Sequence, residues 1–456
     1  MRVGPKLLIA ALAVGLALPT GAWSQSSGTA NTEQVAKPAK KKKGKPKTAA
    51  GLNLKYSLFG HAYFGYTDFS GPNANAVAGG GPSRGLAKSG VSDEFFTYAT
   101  GLINPSYVWV KDGHKLEIGA HANIFLIEDW IDDDLFDEHS IYVKSNKYGT
   151  LYFGEDDGAW DKLKPQRAGR VAISVGQGAY TGCINWWCNY PFGGGANRGG
   201  IHSDVIDFRN GIPGLDVRAG IRDTGDALKI GYLTPKIPVG PGNLTLGASI
   251  NLQETAAGDE GTRGASSRQD EYNDLGLQDE FEIAGRWIGK VNDYEISTSL
   301  GFVQSQVTND GPSGAGINST SQQGIAAGAR VGTDIEGFGK FRVSLQYDWQ
   351  KYDQTRPGVP DVDHHFHLGM DLKRGKWTFG ANAIHAIDSV NARGQRLLGG
   401  DNSTAFSLGA DYKLTKWMTI GAGTAYAFNE ADEEAWEIGG SVTIRYGDVL
   451  NLGKIE

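Results

Sequence analysis

Between Lys115 and Leu126 the chain alternates at every step. One face reads Leu116, Ile118, Ala120, Ala122, Ile124 and Leu126, and the other reads Lys115, Glu117, Gly119, His121, Asn123 and Phe125. Successive side chains of a strand point to opposite sides, so this pattern describes a strand with one apolar and one polar face. Phe341, Val343, Leu345, Tyr347 and Trp349 alternate in the same way with Arg342, Ser344, Gln346 and Asp348. So do Phe406, Leu408, Ala410, Tyr412 and Leu414 with Ser407, Gly409, Asp411 and Lys413.

A soluble β-sandwich also alternates, and three features separate this chain from one. Its strands are long, near the ~9–11 residues that cross a bilayer at a tilt. Their polar faces carry charge and glycine, as a wet lumen requires. Aromatics gather near strand ends, at Trp109, Trp130, Trp349, Tyr352, Trp377, Trp417, Tyr426, Phe428, Trp436 and Tyr446, where a membrane barrel places rings at headgroup level. Beyond the N-terminal segment no stretch approaches the ~18 apolar residues of a transmembrane helix, and the mean hydropathy is −0.34. A barrel tolerates that value because half of its strand residues face water.

The connections alternate too. Short turns fall at 111–113, 146–149, 211–214, 336–339 and 373–376, and long polar loops at 68–92, 157–200, 255–277, 308–320, 353–363 and 388–401. Short turns on one side and long loops on the other describe an outer-membrane barrel. The candidates number about eighteen, or sixteen if a weak hairpin near 214–234 is not a full crossing. The longest excursion follows the strands Ser140–Lys144 and Thr150–Gly154. A loop of that length usually has a function, and this one is expected to fold into the lumen and narrow it.

The N-terminus reads as an export signal. Arg2 and Lys6 precede the apolar run Leu7–Leu18, and Ala22-Trp23-Ser24 resembles a small-x-small cleavage site. The expected organisation is therefore a signal peptide (1–24), a Lys/Pro/Ala-rich disordered periplasmic segment (25–53) and the barrel (54–456). From Leu54 onward the chain has 35 basic and 50 acidic residues, a net of −15, while lysine is concentrated in the 37–47 tract. The acidic body argues against nucleic-acid binding. The lysine tract is read as a spacer that could touch cell-wall polyanions or anionic headgroups.

Leu54-Lys-Tyr-Ser-Leu-Phe-Gly-His-Ala-Tyr-Phe-Gly-Tyr66 resembles the first strand of the Gram-negative general porins. Residues 140–156, with Lys144-x-x-x-Tyr148-Gly-Thr-Leu151 at the turn and Phe153-Gly154 before the loop, resemble that family's fourth and fifth strands. Tyr190-Pro-Phe-Gly-Gly194 is partly similar to the glycine turn of some porin constriction loops, and Glu437-x-Gly439-x-x-Val442-x-Ile444 to the barrel assembly signal. The chain departs from the pattern in continuing past Tyr446 to Glu456. The likeness extends over roughly 54–446. It implies a 16-stranded antiparallel transmembrane barrel with an inward third loop, a homotrimer, and a setting of outer-membrane lipid and lipopolysaccharide.

The resemblance also implies acidic loop groups facing a basic wall. By position the acidic set is Glu155, Asp156, Asp157 and Asp161. The inward phase offers Lys55, His61, Lys115, His121 and Lys144, and further round Arg218 and Arg222. Opposed charges across a narrow gap orient dipolar solutes. Many relatives have Gly-Arg-Gln where this chain has Gly154-Glu155-Asp156, so a positive position becomes negative at the loop root. With the acidic body, this predicts a modest cation preference.

Cys183 and Cys188 are the only cysteines, and in an exported chain they read as a disulfide. Asp363-His364-His365-Phe366-His367 is the one metal-like cluster, since His365 and His367 share a face, but it reads as a loop rim feeding a strand. No metal or cofactor is expected, and the common catalytic signatures are missing, so no enzyme is expected. Alternatives are a substrate-selective channel, with Trp160, Trp186 and Trp187 as a sugar track or Arg218 and Arg222 favouring anions, a barrel enzyme, and a structural envelope protein.

Overall fold

The structure is a computed structural model. It describes residues 50–70, 91–128, 136–165, 167–172, 174, 228–252, 255–256, 276–308, 321–352, 362–387, 402–429 and 434–453. Residues 1–49, with the expected signal and the lysine tract, lie outside these residues, as do Gly211–Gly214, Arg218, Arg222, Cys183, Cys188, Trp186 and Trp187. The last residues of the expected 25–53 spacer do not, because the first strand already begins at Gly51.

The strands are β1 (Gly51–Ser70), β2 (Val91–Lys111), β3 (His114–Glu128), β4 (Phe136–Ser145), β5 (Gly149–Glu155), β6 (Leu228–Leu233), β7 (Ile237–Val239), β8 (Gly242–Asn251) and β9 (Thr255–Ala256). They continue with β10 (Gly276–Val291), β11 (Tyr294–Thr308), β12 (Gln322–Ile335), β13 (Gly339–Tyr352), β14 (Val362–Arg374), β15 (Trp377–Ile387), β16 (Asn402–Lys413), β17 (Met418–Asn429) and β18 (Glu434–Gly453). Each barrel strand pairs antiparallel with its neighbours, and β1 pairs with both β2 and β18, so the sheet closes on itself. Sixteen strands form the wall. The two extra pieces, β7 and β9, are three and two residues long and lie at the ends of β8 and β10. The sixteen-strand expectation holds, and the 228–233 segment within the weak hairpin is a full member, joined to β5 and β8.

The expected alternation is what faces outward and inward. Leu116, Ile118, Leu126 and Leu408 are exposed, Leu408 at 61%, as a lipid-facing surface must be when no lipid surrounds it. On the other face Ser344, Gln346, Asp348 and Ser407 are buried. Outward rings mark the two rims. Trp377 packs on Tyr412 at 4.8 Å and Tyr107 on Trp109 at 4.4 Å near the short turns, and Tyr426 meets Phe428 at 5.6 Å near the opposite end.

All described turns lie at one end of the barrel. The β2–β3 turn is Asp112-Gly113 with φ of 50° and 77°, the doubly positive combination that matches the twist of a two-residue hairpin. The final strand continues past Tyr446, and its residues 447–453 pair with the first turns of β1, from Ser57↔Gly447 to Leu52↔Gly453. The continuation beyond the aromatic therefore lengthens the closing seam. Pairing with β17 stops at Met418↔Ile444.

The outward face should reject charge most strongly at mid-height. Leu408→Arg should lower stability by about 2–4 kcal/mol, read as a shift of the urea unfolding curve in lipid vesicles. An unchanged curve would mean that this face does not meet lipid.

Candidate pore constriction

After Glu155 the chain leaves the wall and turns into the barrel. Asp156-Asp157-Gly158 leads to one short helix, α1 (Ala159–Leu163), and the chain then runs on to Ser174. This is the root of the expected third loop, and it is bound to the inner wall along its length. The Ala159 N–H donates to Ser249 Oγ (2.8 Å) and the Trp160 N–H to Glu282 Oε2 (2.7 Å). Ser299 Oγ donates to the Leu163 carbonyl (2.7 Å). Further on, the N–H groups of Ala168, Gly169 and Ala172 donate to Ser344 Oγ, Asp371 Oδ2 and Asp411 Oδ1 at 2.8, 2.9 and 3.0 Å. The segment thus passes under β8, β10 and β11 and on to β13, β14 and β16. Main-chain groups that a loop would otherwise leave without partners are satisfied by inward wall side chains.

Packing fixes the helix. Trp160 and Leu163 are 1% exposed, in a cluster with Tyr152, Leu233, Ala284, Val303 and Ala326. Several wall positions accept the loop because they are glycine and have no side chain. A Cβ on Gly301 would sit 2.0 Å from Trp160 Cε3, and one on Gly369 would sit 2.2 Å from the Ala168 carbonyl oxygen. The wall is carved for this loop. The buried position of Trp160 also removes it from any sugar track, since its ring faces the wall and not the water.

The four acidic residues expected at the root do gather there, but with partners. Asp156 is buried, accepts a bond from Ser140 Oγ (2.8 Å) and forms an ion pair with Lys162. Asp161 pairs with Lys164 at 2.5 Å, and Glu155 lies 3.2 Å from His139 Nδ1. Burial pushes the Asp156 carboxyl up, but Lys162 outweighs it and holds the group below its ordinary value. Asp161 behaves likewise through Lys164. At Asp157 the same two lysines, Lys162 and Lys164, are outweighed. Burial, reinforced by Asp161, pushes it up to about 7.

Of the basic set, Lys115 pairs with Glu117 at 2.7 Å, and Lys55 and Lys144 come from β1 and β4. β4 adjoins β5 and β3 lies next to β4, so Lys144 and Lys115 belong to the loop root's own side of the ring. Sequence reasoning did not single out Lys162 and Lys164, which share the root with the acids, nor the inward Arg286, Arg330, Arg342 and Arg445. Arg342 donates to Asp371 at 2.8 Å, and Arg167 in the loop donates to Gln346, which donates in turn to Asp348. Their inward phase was readable from the alternation; their partners were not. His365 and His367 are both fully buried on β14. The one metal-competent grouping among the described residues is instead His121, Glu138 and Asp156.

A closed sixteen-strand barrel with an apolar outside, a charged inside and a loop bound across its interior is a membrane channel. The sequence profile of the Gram-negative porins matches residues 10–441, and the chain belongs to that family. It is an outer-membrane β-barrel channel, and family and fold point away from an enzyme. Among solved structures it is similar to an anion-selective porin from Comamonas acidovorans (16% identity, 87% of this chain and 100% of that one, TM-score 0.45). It is also similar to OprB of Pseudomonas putida (12% identity, 87% and 94%, TM-score 0.49) and to OmpT of Vibrio cholerae (12%, 86% and 99%, TM-score 0.47). No curated protein shows a significant sequence match.

Two outcomes follow. Trp160→Ala should remove about 3–5 kcal/mol of local anchoring and raise single-channel conductance and its noise while the barrel stays folded; unchanged current would mean that the helix is held otherwise. Asp157 binds its proton more tightly folded than unfolded, so its stabilising contribution is full below about 4 and lost as pH rises through about 7. Ionisation adds negative charge beside Asp161, so cation preference should rise between pH 6 and 8, roughly one unit either side of that midpoint. The rise should vanish in Asp157→Asn, and an equal rise there would exclude Asp157 as its source.

Proposed function

We propose that the chain is a general diffusion pore for small hydrophilic solutes and ions, with a mild preference for cations. The observation that carries the reading is the loop root. A helix with a buried tryptophan is bound to the lumen wall by main-chain hydrogen bonds, so it narrows the channel permanently and does not act as a mobile plug. Glu155, Asp156, Asp157 and Asp161 sit at that narrowing, and the body from Leu54 onward carries the net of −15. Lys162 and Lys164 neutralise much of the local acid, which is why the preference is mild. Lys55, Lys115, Lys144, Arg218 and Arg222 form the basic counterpart in this reading.

The assembly is a homotrimer on this reading, in keeping with the family and with the trimer form in which the Vibrio cholerae relative is described. Cys183 and Cys188 form a disulfide in an oxidising compartment. Residues 1–24 are removed on export. The lysine-rich segment lies on the periplasmic side, where it is placed to meet cell-wall polyanions, and the barrel sits in lipid and lipopolysaccharide. A second reading, an anion-favouring channel, draws on the inward Arg286, Arg330, Arg342 and Arg445.

Reversal potentials across a planar bilayer in a salt gradient separate the two. The expected sign is that of a cation-preferring pore, with a preference that shrinks as salt rises and screening sets in. A clear anion preference would overturn the charge argument in favour of the arginines.

A further inference from the structure

The β3–β4 register sets His121 opposite Ser140 and Asn123 opposite Glu138, so His121 and Glu138 stand diagonally on the lumen face. Asp156 reaches the same place from the loop root, held by its bond from Ser140. One ligand atom from each of His121, Glu138 and Asp156 lies within 4.8 Å of the others. Glu138 and Asp156 are 2% and 4% exposed. His121 Nε2 is shut off from solvent, makes no hydrogen bond, and lies 3.4 Å from Glu138 Oε2.

With its proton on Nδ1, the imidazole turns the Nε2 lone pair toward the same space as the Glu138 and Asp156 carboxylates, which is the donor arrangement a cation needs. We propose that His121, Glu138 and Asp156 form a binding site for a borderline divalent cation of the zinc, cobalt or nickel class. One imidazole and two carboxylates suit such an ion. Tetrahedral bonds near 2.1 Å set ligand atoms about 3.4 Å apart, the spacing His121 and Glu138 already have. Exchangeable water fills the remaining positions on the lumen side.

The site is coupled to the loop through Lys162, whose ammonium pairs with Asp156 Oδ1. An incoming dication competes with that ammonium. Lys162 has other neighbours to fall back on, the Tyr152 ring at 4.7 Å and the Asp157 carboxyl. Since Lys162 lies within α1, a bound ion displaces the side chain that ties the helix to its root, and it adds positive charge at the narrowing. Cation flow should therefore fall when the site fills. This goes beyond the channel reading, because binding can be measured whether or not the pore conducts.

The test uses the untagged, full mature chain in detergent, stripped with chelator and titrated with zinc chloride by calorimetry. Cobalt is added in parallel to follow the visible absorption of a tetrahedral ion. The expected result is one saturable site per chain, weakened at least about tenfold in His121→Ala and in Glu138→Gln. Both variants should keep the heat-modifiable gel mobility and the far-ultraviolet β-sheet signal of the wild type, which shows that the barrel is intact. In bilayers, zinc should lower the wild-type current and leave both variants unaffected. No saturable binding, or equal binding in wild type and both variants, would overturn the site; the latter would place the ion on other histidines. Binding without an effect on current would overturn the coupling through Lys162.

Discussion

Hydrocarbon offers no partner to a backbone N–H or C=O, and the whole architecture answers to that fact. Sixteen strands can stand in a membrane only if the first finds the last. The β1–β18 seam, from Leu52↔Gly453 to Ser70↔Glu434, is where that requirement is met. Closure also imposes the alternation, because each strand has oil on one side and water on the other. Leu116 and Ile118 face out for the same reason that Glu117 and His121 face in.

The lumen repeats the problem on a smaller scale. A loop led through a water-filled barrel could leave its backbone to solvent and move freely. Here the wall supplies partners instead, with Ser249, Glu282, Ser299, Ser344, Asp371 and Asp411 each meeting one main-chain group. Trp160 adds apolar burial, and Gly301 makes room for it. The loop root is thus a fixed part of the fold, and the charges it carries are held at set places.

Those charges are more balanced than their order along the chain suggests. Glu155-Asp156-Asp157 reads as a run of negative charge, yet Lys162 and Lys164 return along the helix to Asp156 and Asp161. Lysines six and three residues downstream looked like ordinary loop residues until the helix folded them back. Asp157 is left to share its surroundings with Asp161, and so it alone of the three loop aspartates is pushed up into the neutral range.

The period of two, the aromatic rims and the place where the chain leaves the wall were all readable in the amino-acid order, because they depend on neighbours along one strand. Alternation in 115–126, 341–349 and 406–414 was enough to say which side chains meet lipid. Partnership across strands was not readable. Glu138 drew no notice in the sequence, and only the register that sets Asn123 against it brings its carboxylate to His121 and Asp156. Likewise Trp160 looked like a lumen aromatic, and only the gap at Gly301, far along the chain, turned it into an anchor. Local pattern decides the direction of a side chain; what it meets there is decided by strands that come together only when the barrel closes.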